Sequence, residues 1–341
     1  MAKTLLELVN STLPDEFFSD LLVVELAGVL AGPAAGSFFA ELGAEVIKVE
    51  NKKTGGDVTR NWQLPGETTE GPSAYYASAN YGKSVRMLDL TDSKDLEELR
   101  ALIEKADIVL TNHRPHTARK FGLEHADLKR LNPEVIAIQL NGYDDPERPA
   151  YDVVLQAETG WISMTGSDAD HPAKLPVALI DILAGHQIRE AALLALIKRL
   201  KTGEGSYVEV TLERASLAAL ANQATNYLMS GHTAKPIGTL HPNIAPYGEW
   251  FATADEKRIV LAVGSEKQFS GLCEVVGKPE WAEDERFRTN FARLENRRTL
   301  QSLLRDAIRN FGANDLSEKL NARGVPHGFI LPLDEVLEST V

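Results

Sequence analysis

Residues 176–186 read PVALIDILAGH, an apolar run that delivers one carboxylate, Asp181, to the start of a helix-forming stretch. Burying a bare carboxylate costs several kcal/mol, roughly, unless a partner meets it. Two roles fit the position, and one does not exclude the other. Asp181 can cap the helix that follows, or it can serve as a short, desolvated nucleophile held by the turn. His186, further along the same stretch, reads as a core histidine.

A second stretch, TNHRPHTARKFG at 111–122, gathers Asn112, His113, Arg114, His116, Arg119 and Lys120 at the end of a strand. Ligands of open α/β sheets sit at that edge. A basic loop there suits an anionic ligand, or it is a solvated loop face. The histidines of NHRPH have no third ligand nearby, so no metal site is expected. A third stretch, AGVLAGPAAG, spaces Gly28, Gly32 and Gly36 at intervals of four between a strand and a helix. Such a turn can cradle phosphate with its amides, or it can let helix and strand approach closely. Glu50 closes the next strand about 20 residues on, where a dinucleotide fold puts its ribose-binding acid. The glycine spacing is not GxGxxG, which counts against a nicotinamide-dependent dehydrogenase.

The elements that must position these groups alternate. LVVEL at 22–26 is a strand, GPAAGSFFAEL a helix with Pro33 in its first turn and Gly43 at its stop, and GAEVIKVE a second strand. That is one right-handed βαβ unit. SVRMLDL, DIVLTN, VIAIQLNGY and SYVEVTL read as further strands. DSKDLEELRALIEKA, LEHADLKRLNP and residues 182–200 read as helices between them, and RASLAALANQATNYLMSG as one more. The pattern predicts an α/β fold with a doubly wound, mostly parallel sheet. After about residue 225 the character changes. GHTAKPIGTLHPNIAPYGE reads as a linker, and EWFATADEKRIVLAVG as a hairpin followed by charged helices. This predicts a second, smaller α+β domain within 226–341, folded at roughly 240–330.

Bulk properties narrow the function. With 36 Lys and Arg against 49 Asp and Glu, the net charge is −13, which disfavours nucleic-acid partners. The single cysteine, Cys273, sits among apolar neighbours; it forms no intrachain disulfide and makes a poor nucleophile. MAKTLLELVNSTLPDEFF lacks the pattern of a signal peptide, and no segment has the ~20 apolar residues of a membrane helix. The expectation is a cytoplasmic protein with no membrane partner.

Many ordered segments resemble the family III CoA-transferases, the group that includes formyl-CoA transferase. They run from LLVVELAGVLAGPAAGSFFAELGAEVIKVE through GGDVTRNW, ANYGKSVRMLDL, ADIVLTNHRPHTARKFGL, YDVVLQAETG, PVALIDILAG and GEGSYVEVTL to RGVPHGF. The resemblance covers about residues 20–335. It implies a Rossmann-like large domain, 1–225, that binds CoA and carries the nucleophile. A linker and small domain follow at 226–341, and two subunits interlock as a homodimer. It also implies that relatives continue past LPLDEVLE with a return segment that is short or missing here.

The resemblance assigns Asp181 as the catalytic nucleophile, with Gly185 completing the family's D-x-x-x-G. CoA contacts carry over to Leu30, Ala31, Asn51, Leu88, Asn112, His113, Arg114 and Lys120. The implied partners are an acyl-CoA and a small carboxylic acid, with coenzyme A as part of the substrate and no metal. Two positions depart from the family. His116 replaces a usual glycine, and Asn51 stands where relatives are often basic, with Lys52 and Lys53 beside it. The nearest rival is an α-methylacyl-CoA racemase, whose histidine falls where this chain has Tyr151. A catalytically inactive CoA-binding relative is the other alternative.

Overall fold

The structure, a computed structural model, describes residues 16–67 and 71–340. Most of the stretch examined for a signal peptide, residues 1–15, lies outside them. The chain divides into two compact units, one of Ala2–Thr165 with Pro172–Lys235, the other of Gly166–His171 with Pro236–Val341.

The larger unit is built on six parallel strands: β1 (Leu22–Leu26), β2 (Glu45–Asn51), β3 (Ser84–Leu88), β4 (Ile108–Thr111), β5 (Ile136–Asn141) and β6 (Ser206–Thr211). Their order is β3-β2-β1-β4-β5-β6, that of doubly wound nucleotide folds. The central strands are short apolar runs because helices cover both faces. On one face lie α1 (Ala31–Glu41) and a 24-residue helix, Leu179–Thr202. On the other lie Ser93–Ile103, Pro115–Phe121 and His125–Leu131, which bury Leu99, Ile103, Ala118 and Leu128 against Val24, Ile47 and Val109. In chain order the helices of this unit are α1, α2 (Ala74–Asn80), α3 (Ser93–Ile103), α4 (Pro115–Phe121), α5 (His125–Leu131), α6 (Asp152–Glu158), α7 (Trp161–Met164), α8 (Leu179–Thr202), α9 (Leu212–Ala218) and α10 (Ala221–Ser230). Ile180 at the start of α8 is fully buried. Truncating it to alanine would cost roughly 2–5 kcal/mol and would loosen the turn that carries Asp181.

Two local expectations are corrected. The basic stretch 111–122 is not a loop throughout, because Pro115 at the first helical position starts α4 and left-handed Gly122 ends it. The run 214–231 is two helices rather than one, broken where Ala221 takes φ = 46°.

The glycines of AGVLAGPAAG serve close approach. A Cβ on Gly32 would lie 2.4 Å from the Ala27 Cβ, and one on Gly36 would lie 1.9 Å from Glu25 Oε2. They let α1 lie on β1 and leave room for a buried acid beneath it. Gly185 does the same between helices, since a Cβ there would lie 3.0 Å from the Ala31 carbonyl oxygen. That contact sets α8, and with it Asp181, beside the start of α1.

The smaller unit has an antiparallel sheet of β7 (Tyr247–Ala252), β8 (Arg258–Ala262) and β9 (His327–Phe329). Helices α11 (Glu266–Val275), α12 (Asn290–Glu295), α13 (Arg297–Ile308), α14 (Ala313–Ala322) and α15 (Leu333–Thr340) accompany it. Phe251, Ile259, Leu261, Phe269, Leu304 and Leu316 form its core. Cys273 is fully buried within it, and burial pushes its thiol up to about 12, out of nucleophilic range at neutral pH.

Candidate active site

The connection from β1 leads to one side of the sheet and that from β4 to the other, so their C-terminal ends open a crevice. Asn112 spans it. Gly28 N–H donates to Asn112 Oδ1 at 3.3 Å, and Asn112 Nδ2 donates to the Gly28 carbonyl at 3.3 Å. Next to Gly28, Val29 sits at φ = 72°. A β-branched residue in that region is strained by about 1–3 kcal/mol. It is held there by its own N–H, which donates to Asp57 Oδ2 at 3.1 Å.

Asp57 belongs to a buried charge network behind this turn. Lys48 Nζ lies 2.9 Å from Glu25 Oε1 and 3.2 Å from Asp57 Oδ2, and it donates to the Ala27 carbonyl at 2.7 Å. Lys83 Nζ lies 2.8 Å from the other Glu25 oxygen and donates to the carbonyls of Pro33 and Ala79. Burial would push Asp57 upward, but Lys48 and the Thr59 hydrogen bonds outweigh it and hold the acid below the usual carboxylate range. Every charge here has a partner, as buried charges must.

Asp181 is the exception. Its residue is 8% exposed, and its carboxylate makes no hydrogen bond or ion pair with any described residue. It is not the helix cap. Ala178 takes that position with no side-chain bond, and Asp181 lies inside the first turn of α8. The cap comes from Asp152, whose Oδ2 accepts the N–H groups of Ile180 at 2.8 Å and Asp181 at 3.2 Å. Gln156 Nε2 donates to the other Asp152 oxygen, while its own Oε1 accepts from Leu175 N–H. Burial, followed by the nearby Asp152 charge, pushes Asp181 up to about 7.

The carboxylate opens on a cleft that also receives Leu30, Ala31, Asn112, Arg114, Arg148 and Tyr151. Leu30 is the N-cap of α1 and offers no side-chain acceptor to that helix's first-turn amides. Arg114 is the N-cap of α4, exposed, and without an acceptor among the described residues.

A shallower depression along Gly28, Val29, Asn112 and His113 leads past Asn51. It reaches a third recess lined by Asn51, Lys53, Leu88 and His113. Asn51 ends β2 and accepts from Lys53 N–H at 2.9 Å, and Leu88 ends β3 and is buried. The His113 ring is pushed below its usual range by burial, and its Nδ1 has no hydrogen-bond partner among the described residues.

Lys120 is not brought to this track. It is exposed on α4, its Nζ 5.1 Å from the Phe121 ring centroid, and lines none of these three recesses. His116 is exposed and paired with Glu147 at 3.3 Å. His186 is exposed rather than a core residue. Glu50 is unavailable to a ribose. Arg60 Nε meets its Oε2 at 2.6 Å and the Tyr76 hydroxyl donates to its Oε1 at 2.6 Å, which removes the feature that suggested a dehydrogenase. Among the described residues no three His, Cys, Asp or Glu side chains converge as a metal site would require, and no helix is long and apolar enough to cross a membrane.

The sequence reading missed Asp152, whose signal is the i, i+4 spacing of Asp152 and Gln156 in YDVVLQ. It also missed Arg148, which follows a Pro-Glu pair in a stretch without periodicity.

The family model of CoA-transferase family III matches residues 18–341. The chain belongs to that family. Among curated relatives, the succinate–glutarate CoA-transferase of Agrobacterium fabrum is 37% identical over 93% of this chain and 81% of its own length. The human succinyl-CoA:glutarate CoA-transferase is 32% identical over 90% and 70%. A CAIB/BAIF family protein from Brucella suis superposes with TM-score 0.79 at 37% identity, covering 93% of this chain and 85% of that one. A family III member with this cleft therefore presents one unpaired carboxylate at the end of a long, partly cationic track.

Proposed function

We propose that the protein moves CoA from an acyl-CoA donor to a free carboxylic acid, with Asp181 as nucleophile. The observation that carries this reading is the buried, unpartnered Asp181 carboxylate at the crevice of a doubly wound sheet. A carboxylate kept without a cation costs stability, and such cost is stored at sites of chemistry.

Asp181 attacks the donor thioester carbonyl, giving a mixed anhydride and CoA thiolate. The thiolate attacks the Asp181 carbonyl, giving an aspartyl-CoA thioester and the donor acid, which leaves with one Asp181 oxygen. The acceptor acid then attacks the aspartyl thioester, and the released thiolate takes the acceptor's acyl group. One acceptor oxygen stays on Asp181. Each step exchanges acyl compounds of similar energy, so no nucleotide is consumed. The first-turn amides of α1 beside Leu30 and Ala31 would stabilise the oxyanions, each such donor contributing about 3–4 kcal/mol.

CoA would lie along the strand ends, with Arg114 and Lys53 toward its phosphates and Asn51, Leu88, Asn112 and His113 along its length. Lys120 would contribute only at long range. In this reading residues 1–225 are the CoA-binding domain with the nucleophile, and 226–341 are linker and small domain. The enzyme is an interlocked homodimer in the cytoplasm. Support for a partner surface comes from α10, which buries none of its residues and leaves Leu228 and Met229 77% and 87% exposed. The relatives' acids, succinate and glutarate among them, make short acids the first substrates to try.

Mass-spectrometric CoA exchange between acyl-CoA and free acid tests the reading. Wild type should exchange and Asp181→Ala should not. Deuterium uptake at the acyl α-carbon without exchange would instead support the racemase. Equal exchange by both proteins would remove Asp181 from the chemistry.

A further inference from the structure

The cleft at Asp181 holds two guanidinium groups, Arg114 and Arg148, and they are held differently. Arg114 is exposed and meets no acceptor among the described residues. Arg148 is fixed. Its guanidinium lies over the Tyr143 ring, 3.8 Å from the centroid, and its Nη2 donates to Glu158 Oε1 at 2.5 Å. Tyr143 is 3% exposed, and its hydroxyl donates to the other Glu158 oxygen at 2.9 Å. One edge of the guanidinium is thus anchored, while Nε and Nη1 meet no acceptor among the described residues. The side chain keeps 45% of its surface exposed. A planar fork anchored on one edge and free on the other suits two-point recognition of a carboxylate, and a preset donor loses little freedom on binding.

Pro149, Ala150 and Tyr151 line the same cleft as Arg148 and Asp181. Apart from the two arginines, no side chain of that cleft carries a positive charge. A substrate with one carboxylate needs only Asp181 and the oxyanion donors. A fixed cation in the same cleft has no use for such a molecule, but it would hold a second carboxylate.

We infer that Arg148 binds the distal carboxylate of a dicarboxylic acid whose other end reacts at Asp181, and so selects short dicarboxylic acids over monocarboxylic ones. This rests on the transfer function proposed above. Glu158, with both oxygens already engaged, orients Arg148 and limits how tightly a second anion is held.

The test compares acceptor kcat/KM for glutarate and for valerate, its monocarboxylic counterpart, with succinyl-CoA as the fixed donor. In a ping-pong reaction acceptor kcat/KM reports only the second half-reaction, so effects on the donor drop out. Wild type should prefer glutarate. In Arg148→Gln and Arg148→Ala the ratio of glutarate to valerate should fall by about 10- to 100-fold, mostly through KM, and Arg148→Lys should recover part of it. Equal losses for both acids, or an unchanged ratio, would overturn the inference. So would a wild-type preference for valerate, with the transferase function intact. No CoA exchange by wild type with any donor and acid would overturn the function itself, and the inference with it.

Discussion

Two groups of buried acids flank the turn at Gly28–Leu30, and they are built on opposite rules. Behind the turn, Glu25 and Asp57 share Lys48 and Lys83, and every charge is met within about hydrogen-bonding distance. In front of it, Asp181 and Asp152 lie close enough for one charge to raise the other, yet neither forms an ion pair with any described residue. Asp152 spends its oxygens on two helix amides and Gln156, while Asp181 spends none. The paired group supports a strained loop. The unpaired carboxylate is what remains available to react.

The contrast is broken most severely at Asp181 itself. Asp181→Asn should lower CoA exchange by at least about 10³-fold, measured in the exchange assay, with little change in overall fold by circular dichroism. On the paired side, Lys48→Met should leave Asp57 without its cation and Glu25 with Lys83 alone, and destabilise the protein by about 3–5 kcal/mol, read as a lower Tm.

The two carboxylate groups should also respond oppositely to pH. Asp181 titrates near 7 in the folded chain, above the roughly 4 of an unfolded aspartate. Its neutral form contributes stability that is complete below the unfolded value and lost as pH rises through about 7. Asp181→Asn should therefore raise Tm at pH 8 relative to wild type, by the equivalent of up to a few kcal/mol, and the gap should close toward pH 4. Asp57, held low by Lys48, has the reverse sign: its contribution is present above the unfolded value and lost on acidification.

A finer test acts through Asp152. Donor kcat/KM should rise with pH through about 7 as Asp181 ionises. In Asp152→Asn the midpoint should move to lower pH, because the neighbouring negative charge is gone, while kcat drops with the weakened helix cap. An unmoved midpoint would leave Asp152 a purely structural cap. The smallest effects belong to the CoA track. Arg114→Ala should raise the donor KM by about tenfold, and Lys120→Ala by less than about threefold.

The sheet was legible because its strands are short apolar runs bounded by glycine and polar turns, as in LVVEL and DIVLTN, and periodicity reports such runs directly. The candidate site was legible mainly through residue order: Asp181, Asn112 and Arg114 line one cleft because β1, β4 and α8 meet at one end of the sheet, and His113 lies in the recess beside it. What escaped depended on contacts between distant segments. The sequence at 176–186 carries its own plausible cap, and nothing local says that Asp152, 29 residues earlier, takes that role. Helix α4 has only seven residues and no apolar stripe to announce it. The break at Ala221 falls within helix-forming residues, where only φ reveals it. Glu50 sits where a ribose acid would sit, and only the approach of Arg60 and Tyr76 shows that it is already engaged.

The central claim is that Asp181 changes its covalent partners during each turnover. Run the exchange with an acceptor acid labelled with ¹⁸O in its carboxylate, then digest the protein and weigh the peptide that contains Asp181. The account predicts that heavy oxygen enters the Asp181 side chain, one atom in the first turnover and up to two as turnovers accumulate, and only when both acyl-CoA and acceptor are present. CoA transfer that proceeds while that peptide stays unlabelled would contradict it.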